Sequence, residues 1–146
     1  MAKRKCFLPV IYISALAFLP PILGWTMVPQ HNAPLFEYIK RFTNLVPFRG
    51  IAEAVGMVFN SGRIAYLTRY AINLFVLLPV GLMCGMNKRK LKNATVWYAV
   101  VLVLVYGMRV MMKLGSFDID DILLNLLGLS IGWVLGNMIT RVTRTG

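Results

Sequence analysis

Four stretches that carry almost no charge set the limits on what this chain can fold into. They run over residues 6–28, 64–86, 94–114 and 122–139. A helix needs about 20 apolar residues to cross a bilayer at about 1.5 Å per residue. The pattern therefore predicts an all-α membrane protein, a four-transmembrane-helix bundle built as one domain from all 146 residues. Composition agrees, with 58% hydrophobic residues and only 14% charged, against about 25% charged in soluble domains. A disordered chain, a disulfide scaffold and an ordinary soluble enzyme are excluded. A net charge of +11 in a soluble domain would point to nucleic acid. Beside four apolar spans it points instead to anionic lipid headgroups.

Lys and Arg are retained on the cytoplasmic side of membrane proteins, which orients the spans. Lys3, Arg4 and Lys5 precede the first span, Lys88, Arg89, Lys90 and Lys92 separate the second from the third, and Arg141 and Arg144 follow the fourth. All five acids, Glu37, Glu53, Asp118, Asp120 and Asp121, fall on the other side, together with the more scattered Lys40, Arg41, Arg49 and Arg63. This predicts a multi-pass membrane protein with both termini on the cytoplasmic side and anionic lipid at the inner face. Ala15-Leu16-Ala17 offers a competing signal-peptide reading, but the apolar run continues past it to Pro20-Pro21, which should kink or break the first span.

The chemistry available is narrow. Cys6, Cys84 and His31 are the only residues of their types, too few for a Cys/His zinc site. The cysteines are expected to be free thiols on the cytoplasmic side, and His31 to be a solvated loop residue.

The outer loop, residues 29–63, is expected to hold short interfacial helices. Leu35, Phe36, Ile39 and Phe42 recur at helical spacing, with Asn32 as a cap and Pro34 just inside the helix. Ile51, Val55, Val58 and Phe59 repeat the pattern until Asn60-Ser61-Gly62 ends it. Such helices either cover the bundle or face a substrate.

Polar residues inside spans are costly and need reasons. Arg69 and Asn73 lie near the outer end of the second span, and Arg109 near that of the third. Asp121, Asn125 and Gly128 share one face of the fourth helix, just after Asp118 and Asp120. Arg69, Arg109 and Lys113 can thus meet Asp118, Asp120 and Asp121 near one depth. The cluster reads either as a binding site or as acids capping a helix and pairing with arginines. A site for a divalent ion on the same carboxylates is a weaker reading, because the arginines compete for them. Further along, Gly128, Gly132 and Gly136 form a small-residue face that suits internal helix packing first and a homo-oligomer second.

Three blocks resemble the VanZ-like family of small bacterial membrane proteins: Asn44-Leu45-Val46-Pro47-Phe48, Asn73-Leu74-Phe75-Val76-Leu77-Leu78-Pro79-Val80-Gly81, and Phe117-Asp118-Ile119-Asp120-Asp121-Ile122-Leu123-Leu124-Asn125-Leu126-Leu127-Gly128. The last is the most specific. The resemblance implies an envelope protein acting at the outer surface, in a family associated with resistance to the glycopeptide teicoplanin. Members typically carry a Glu and a Gln three residues apart late in the third span, where this chain has Tyr106 and Arg109. That departure puts a shared activity in question, and it offers a cation to pair with Asp118 or Asp121.

The leading expectation is a non-enzymatic outer-leaflet site for a lipid headgroup or lipid-linked envelope precursor, lined by Arg69, Asn73, Arg109, Asp118, Asp121 and Asn125, with no metal and no cofactor. The alternatives are a carboxylate-dependent enzyme on a lipid-linked substrate, with Asp121 as proton acceptor, and a scaffold that binds another membrane protein through the glycine face. Surrounding arginines weigh against acid–base use of Asp121.

Overall fold

A computed structural model describes residues 34–145. The expected first span, Cys6, His31 and the Asn32 cap lie outside the described residues. Within them the fold is helical, and three helical segments are long and apolar enough to cross a membrane: Ala65–Met86, Leu91–Met111 and Ile119–Thr143. Only 22–33% of each span is buried inside the protein, so large side chains such as Phe75, Trp97, Leu104, Met108 and Met138 face outward. That much exposed apolar surface suits a lipid surround rather than water.

Two short helices come first. α1 (Leu35–Phe42) has Glu37 in its first turn and Lys40 and Arg41 in its last, each sign opposite the nearer end of the helix dipole. Pro34 stands at the N-cap rather than inside the helix as expected, with the Tyr38 amide donating to its carbonyl at 3.0 Å. Tyr38 is fully buried while Phe36, on the expected apolar stripe, is 79% exposed. α2 (Arg49–Ser61) ends as expected at Gly62, whose φ of 66° suits a residue without Cβ. Between them β1 (Thr43–Asn44) pairs in parallel with β2 (Phe117–Asp118), Thr43 opposite Phe117 and Asn44 opposite Asp118.

The first described span is two helices in tandem, α3 (Ala65–Val76) and α4 (Leu78–Met86). The break at Leu77 follows from Pro79, which has no amide to donate and whose ring crowds the carbonyl four residues back. α5 (Leu91–Met111) begins and ends three residues before the expected 94–114. Its first turn tolerates Lys92, whose stem can reach out to water. α6 (Ile119–Thr145) is expected to be the shortest span, at 122–139, and is the longest helix among the described residues, 27 residues. Apolar content stops near Ile139, but the helix runs on through Thr140 and Thr143, whose hydroxyls are satisfied by the Gly136 and Ile139 carbonyls.

A two-sided glycine seam joins α6 to α3 and α4. Gly128, Gly132 and Gly136 lie against the carbonyl oxygens of Leu74, Leu78 and Leu82. Gly81 and Gly85 return the contact against the carbonyls of Leu129 and Trp133. A Cβ at any of the five would sit 1.9–2.2 Å from a carbonyl oxygen, closer than van der Waals contact allows. The glycine face is thus occupied within the chain. The residues packed around the seam, Leu77, Val80, Cys84, Leu102, Tyr106, Ile122 and Leu129, form the core.

Candidate functional site

The three motif blocks, far apart in sequence, meet at one end of the bundle. Three acids of one block, Asp118 in β2 and Asp120 and Asp121 in the first turn of α6, hold this end together, with Arg69 shared by Asp118 and Asp121. Asp118 accepts the Asn44 side-chain amide at 3.1 Å and also caps the Asp120 amide at 3.1 Å. Asp120 reaches the start of α2 and accepts the backbone amides of Phe48, of Gly50 at 2.9 Å and of Ile51 at 3.3 Å. α2 has no cap from its own residue, because Phe48 at the N-cap offers no side-chain oxygen and sits at φ 64°. The carboxylate of Asp120 supplies the missing cap and meets the positive end of the helix dipole.

Asp121, fully buried, accepts a hydrogen bond from Arg69 and another from the Asn73 amide at 2.6 Å. Asn73 in turn accepts from the Tyr106 hydroxyl at 3.4 Å. Arg69 also donates to Ser116 at 3.4 Å and lies 3.5 Å from Asp118. Its guanidinium therefore bridges two carboxylates, with its side chain 31% exposed. A buried pair of this kind offsets its desolvation only with the help of extra hydrogen bonds, and Asn73 and Ser116 supply two.

Arg109, buried near the C-terminal end of α5, stacks on the Tyr106 ring at 5.3 Å and packs against Gly115. Gly115 is small because the guanidinium occupies the space a Cβ would take, and its carbonyl accepts the Tyr38 hydroxyl at 3.2 Å. The cation–π contact of Tyr106 with Arg109 lies within α5; α5 and α1 meet at the turn before β2 because Arg109 packs on Gly115 and Tyr38 bonds its carbonyl. Asn125 is buried, and its amide donates back to the Asp121 carbonyl at 2.7 Å. Among the described residues, no three His, Cys, Asp or Glu side chains converge as a metal site would require.

Above this network lies a cleft of about 790 Å³ between α1, α2, the start of α3 and the turn before β2. Arg69 and Asp118 reach it; Asn73, Arg109, Asp121 and Asn125 lie beneath, buried. Four cations, Lys40, Arg41, Arg49 and Arg69, line it against two carboxylates, Glu53 and Asp118. Arg49 is paired with Glu53 at 2.9 Å and Arg69 with Asp118, whereas Lys40 and Arg41 form no ion pair among the described residues. Tyr66 and Tyr70 add phenol groups to the wall, Tyr70 lying beside Gly50.

Of the six residues read from the sequence as a site, two therefore touch the cleft and four support them from below. Sequence reasoning missed Lys40, Arg41, Arg49 and the two tyrosines as wall residues. One signal was present: adjacent cations on the side that the positive-inside rule leaves poor in them. A family model described as VanZ/LLP1 matches residues 6–140. No curated protein and no solved structure matches the chain.

Proposed function

The chain belongs to the VanZ/LLP1 family, and on that premise we propose that its cleft is a non-enzymatic outer-leaflet site for an anionic headgroup, of a lipid or of a lipid-linked envelope precursor. Occupied, it alters glycopeptide access to the cell surface, with teicoplanin the affected drug. The observation that carries the reading is the pair Lys40 and Arg41, two cations on the cleft wall with no carboxylate partner among the described residues. The buried network holds Arg69 in place below them, so the site is organised before any ligand arrives. The orientation follows from the basic inner loop and tail. On this reading the cleft opens at the outer face of a bacterial cytoplasmic membrane, with the termini inside.

Two rival readings lose ground. Asp121 is sealed beneath Arg69 and does not line the cleft, a poor position for a proton acceptor. The glycine face is filled by α3 and α4, which removes it as a dock for another membrane protein.

The test is teicoplanin and vancomycin susceptibility in a Gram-positive host expressing the chain, beside Lys40→Gln/Arg41→Gln, Asp121→Asn and an empty vector at matched membrane levels. A teicoplanin-selective gain lost in the Lys40/Arg41 variant supports the reading. A gain that survives that variant, or no gain from the wild-type chain, removes it.

A further inference from the structure

The loop between β1 and α2, residues 45–48, has its depth set by the start of α6. Asn44 stands opposite Asp118, the residue before that helix. Asp120, in its first turn, accepts the amides of Phe48, Gly50 and Ile51. The segment long and apolar enough to cross a membrane begins at Ile119, so the loop lies level with the point where that span enters the bilayer. From this placement we infer that the loop is a lipid anchor: Leu45, Val46 and Phe48 insert into the interfacial layer of the leaflet on that side.

The side chains are the first reason. Leu45 is 63% exposed, Val46 54% and Phe48 66%. Large apolar side chains crowded into so short a loop, each more than half uncovered, form a patch that marks a contact with something apolar. Residues 42–48 carry no charge, and Arg41 and Arg49 bracket them. Arg49 is paired with the equally exposed Glu53 at 2.9 Å. Charges at both ends of the stretch keep the insertion shallow, with the arginine stems reaching up to the headgroups.

The backbone selects lipid over water. An exposed amide in water is satisfied by solvent, whereas an unsatisfied amide in an apolar layer is costly. Every amide from Val46 to Ile51 has an acceptor within the chain. Val46 donates to the Asn44 side-chain oxygen at 3.2 Å, and Arg49 to the Val46 carbonyl at 3.4 Å. Phe48, Gly50 and Ile51 share the Asp120 carboxylate, and Pro47 has no amide to satisfy. Phe48 joins this arrangement in the left-handed region, at φ 64°, a costly conformation for a bulky residue. Protein covers only about a third of it, so the burial that offsets this cost comes from lipid. The inference needs α6 to enter a membrane and nothing of the anionic site proposed above, so the two stand or fall separately.

The experiment uses the full-length protein in nanodiscs of zwitterionic phosphatidylcholine, which offer the cleft no anionic lipid and leave both faces open to solutes. Phe48→Trp and Leu45→Trp are made separately. The emission that each adds to the native Trp25, Trp97 and Trp133 is taken as the difference from the wild type. Leu45 lies outside the left-handed region, so its variant carries the test if an indole at position 48 disturbs the turn. Lipids brominated on the upper acyl carbons should remove roughly half of the added emission, as for a side chain about 5–10 Å into the interface. Iodide in solution should quench it about threefold less, because that layer excludes the ion. Iodide quenching equal to or above that by the brominated lipid places the loop in water and overturns the anchor. Added emission that neither quencher reaches means that protein covers the patch, and overturns it as well.

Discussion

Asp120 holds the amide of Gly50 at 2.9 Å across 70 residues of sequence. The same carboxylate takes the amides of Phe48 and Ile51, so the start of the last helix caps the start of α2 and the cleft wall rests on one side chain. Asp120→Ala is expected to leave three amides without an acceptor and to cost about 1–3 kcal/mol. Asp120→Asn, with one carbonyl oxygen and no charge, should cost less. Hydrogen exchange measured residue by residue checks this: the amides of Phe48, Gly50 and Ile51 should lose protection in the Ala variant while those of α5 keep theirs. Unchanged protection at those three positions would show that the cap does not hold the helix.

Arg69 and Asp121 differ in how they tolerate losing each other. Arg69 is 31% exposed and can swing its head toward the cleft, but Asp121 has no exposure at all. Removing one partner of a buried pair costs about 3–5 kcal/mol because the other is left uncompensated. Arg69→Leu, which strands the fully buried carboxylate, should therefore be more destabilising than Asp121→Leu. The double variant Arg69→Leu/Asp121→Leu should fall well short of the sum of the two, since neither charge is then stranded. Unfolding of the purified protein in mixed micelles gives all three values; additivity would mean that the pair is not coupled.

How much of this was legible in the sequence depends on whether a feature is periodic or relational. Three of the four expected spans, 64–86, 94–114 and 122–139, reappear as helices, because an apolar run of that length has few other fates. The first of these fits its helical segment to within one residue at either end, whereas the ends of the other two fall three or more residues away. Lys92 and Thr140 continue helices that hydropathy alone would stop, and the stop at Met111 is set by Lys113 in the left-handed region. Gly128, Gly132 and Gly136 were visible as a face, but Gly81 and Gly85, which complete the seam, carry no four-residue pattern long enough to notice. Asp121, Asn73 and Arg69 were read as neighbours because all three are polar at one depth. The cap that Asp120 gives to α2 had no such signal, since an acid meeting backbone amides leaves no partner side chain to recognise. The cleft wall was hidden for a related reason: Lys40 and Arg41 read only as the polar face of a short interfacial helix, and no local pattern shows that β1 pairs with β2 and brings that helix and Asp118 to one cleft.

The glycine seam makes a position-specific prediction. At Gly132 an added Cβ would lie 2.0 Å from the Leu78 carbonyl oxygen and 2.8 Å from the Leu82 amide nitrogen. Backbone cannot turn aside as a side chain can, so Gly132→Ile should cost at least about 3 kcal/mol, the upper end of overpacking. Gly56 and Gly107 are helical glycines with nothing within 4 Å of the added atom. Gly56→Ala should stabilise the protein by about 0.5–1 kcal/mol through helix propensity alone, and Gly107→Ala should do the same. Thermal unfolding in detergent separates the two classes, and equal effects at Gly132 and Gly107 would contradict the seam.

Lys113 closes α5 in the left-handed region at φ 54°. Its amide donates to the Val110 carbonyl at 3.0 Å, and the next amide, of Leu114, donates to Arg109 at 2.8 Å. This is the arrangement in which glycine usually ends a helix. A residue with a Cβ pays about 1 kcal/mol to sit there. Lys113→Gly should therefore raise stability by roughly that amount, even though it deletes a long side chain. Lys113→Ala deletes the same chain but keeps the Cβ, so it removes whatever the ammonium group contributes without relieving the backbone. The comparison of Gly with Ala isolates the conformational cost from the loss of the side chain. Unfolding midpoints should rank Gly above both Lys and Ala. A ranking with Ala equal to Gly would mean that the turn relaxes out of the left-handed region when the lysine is gone.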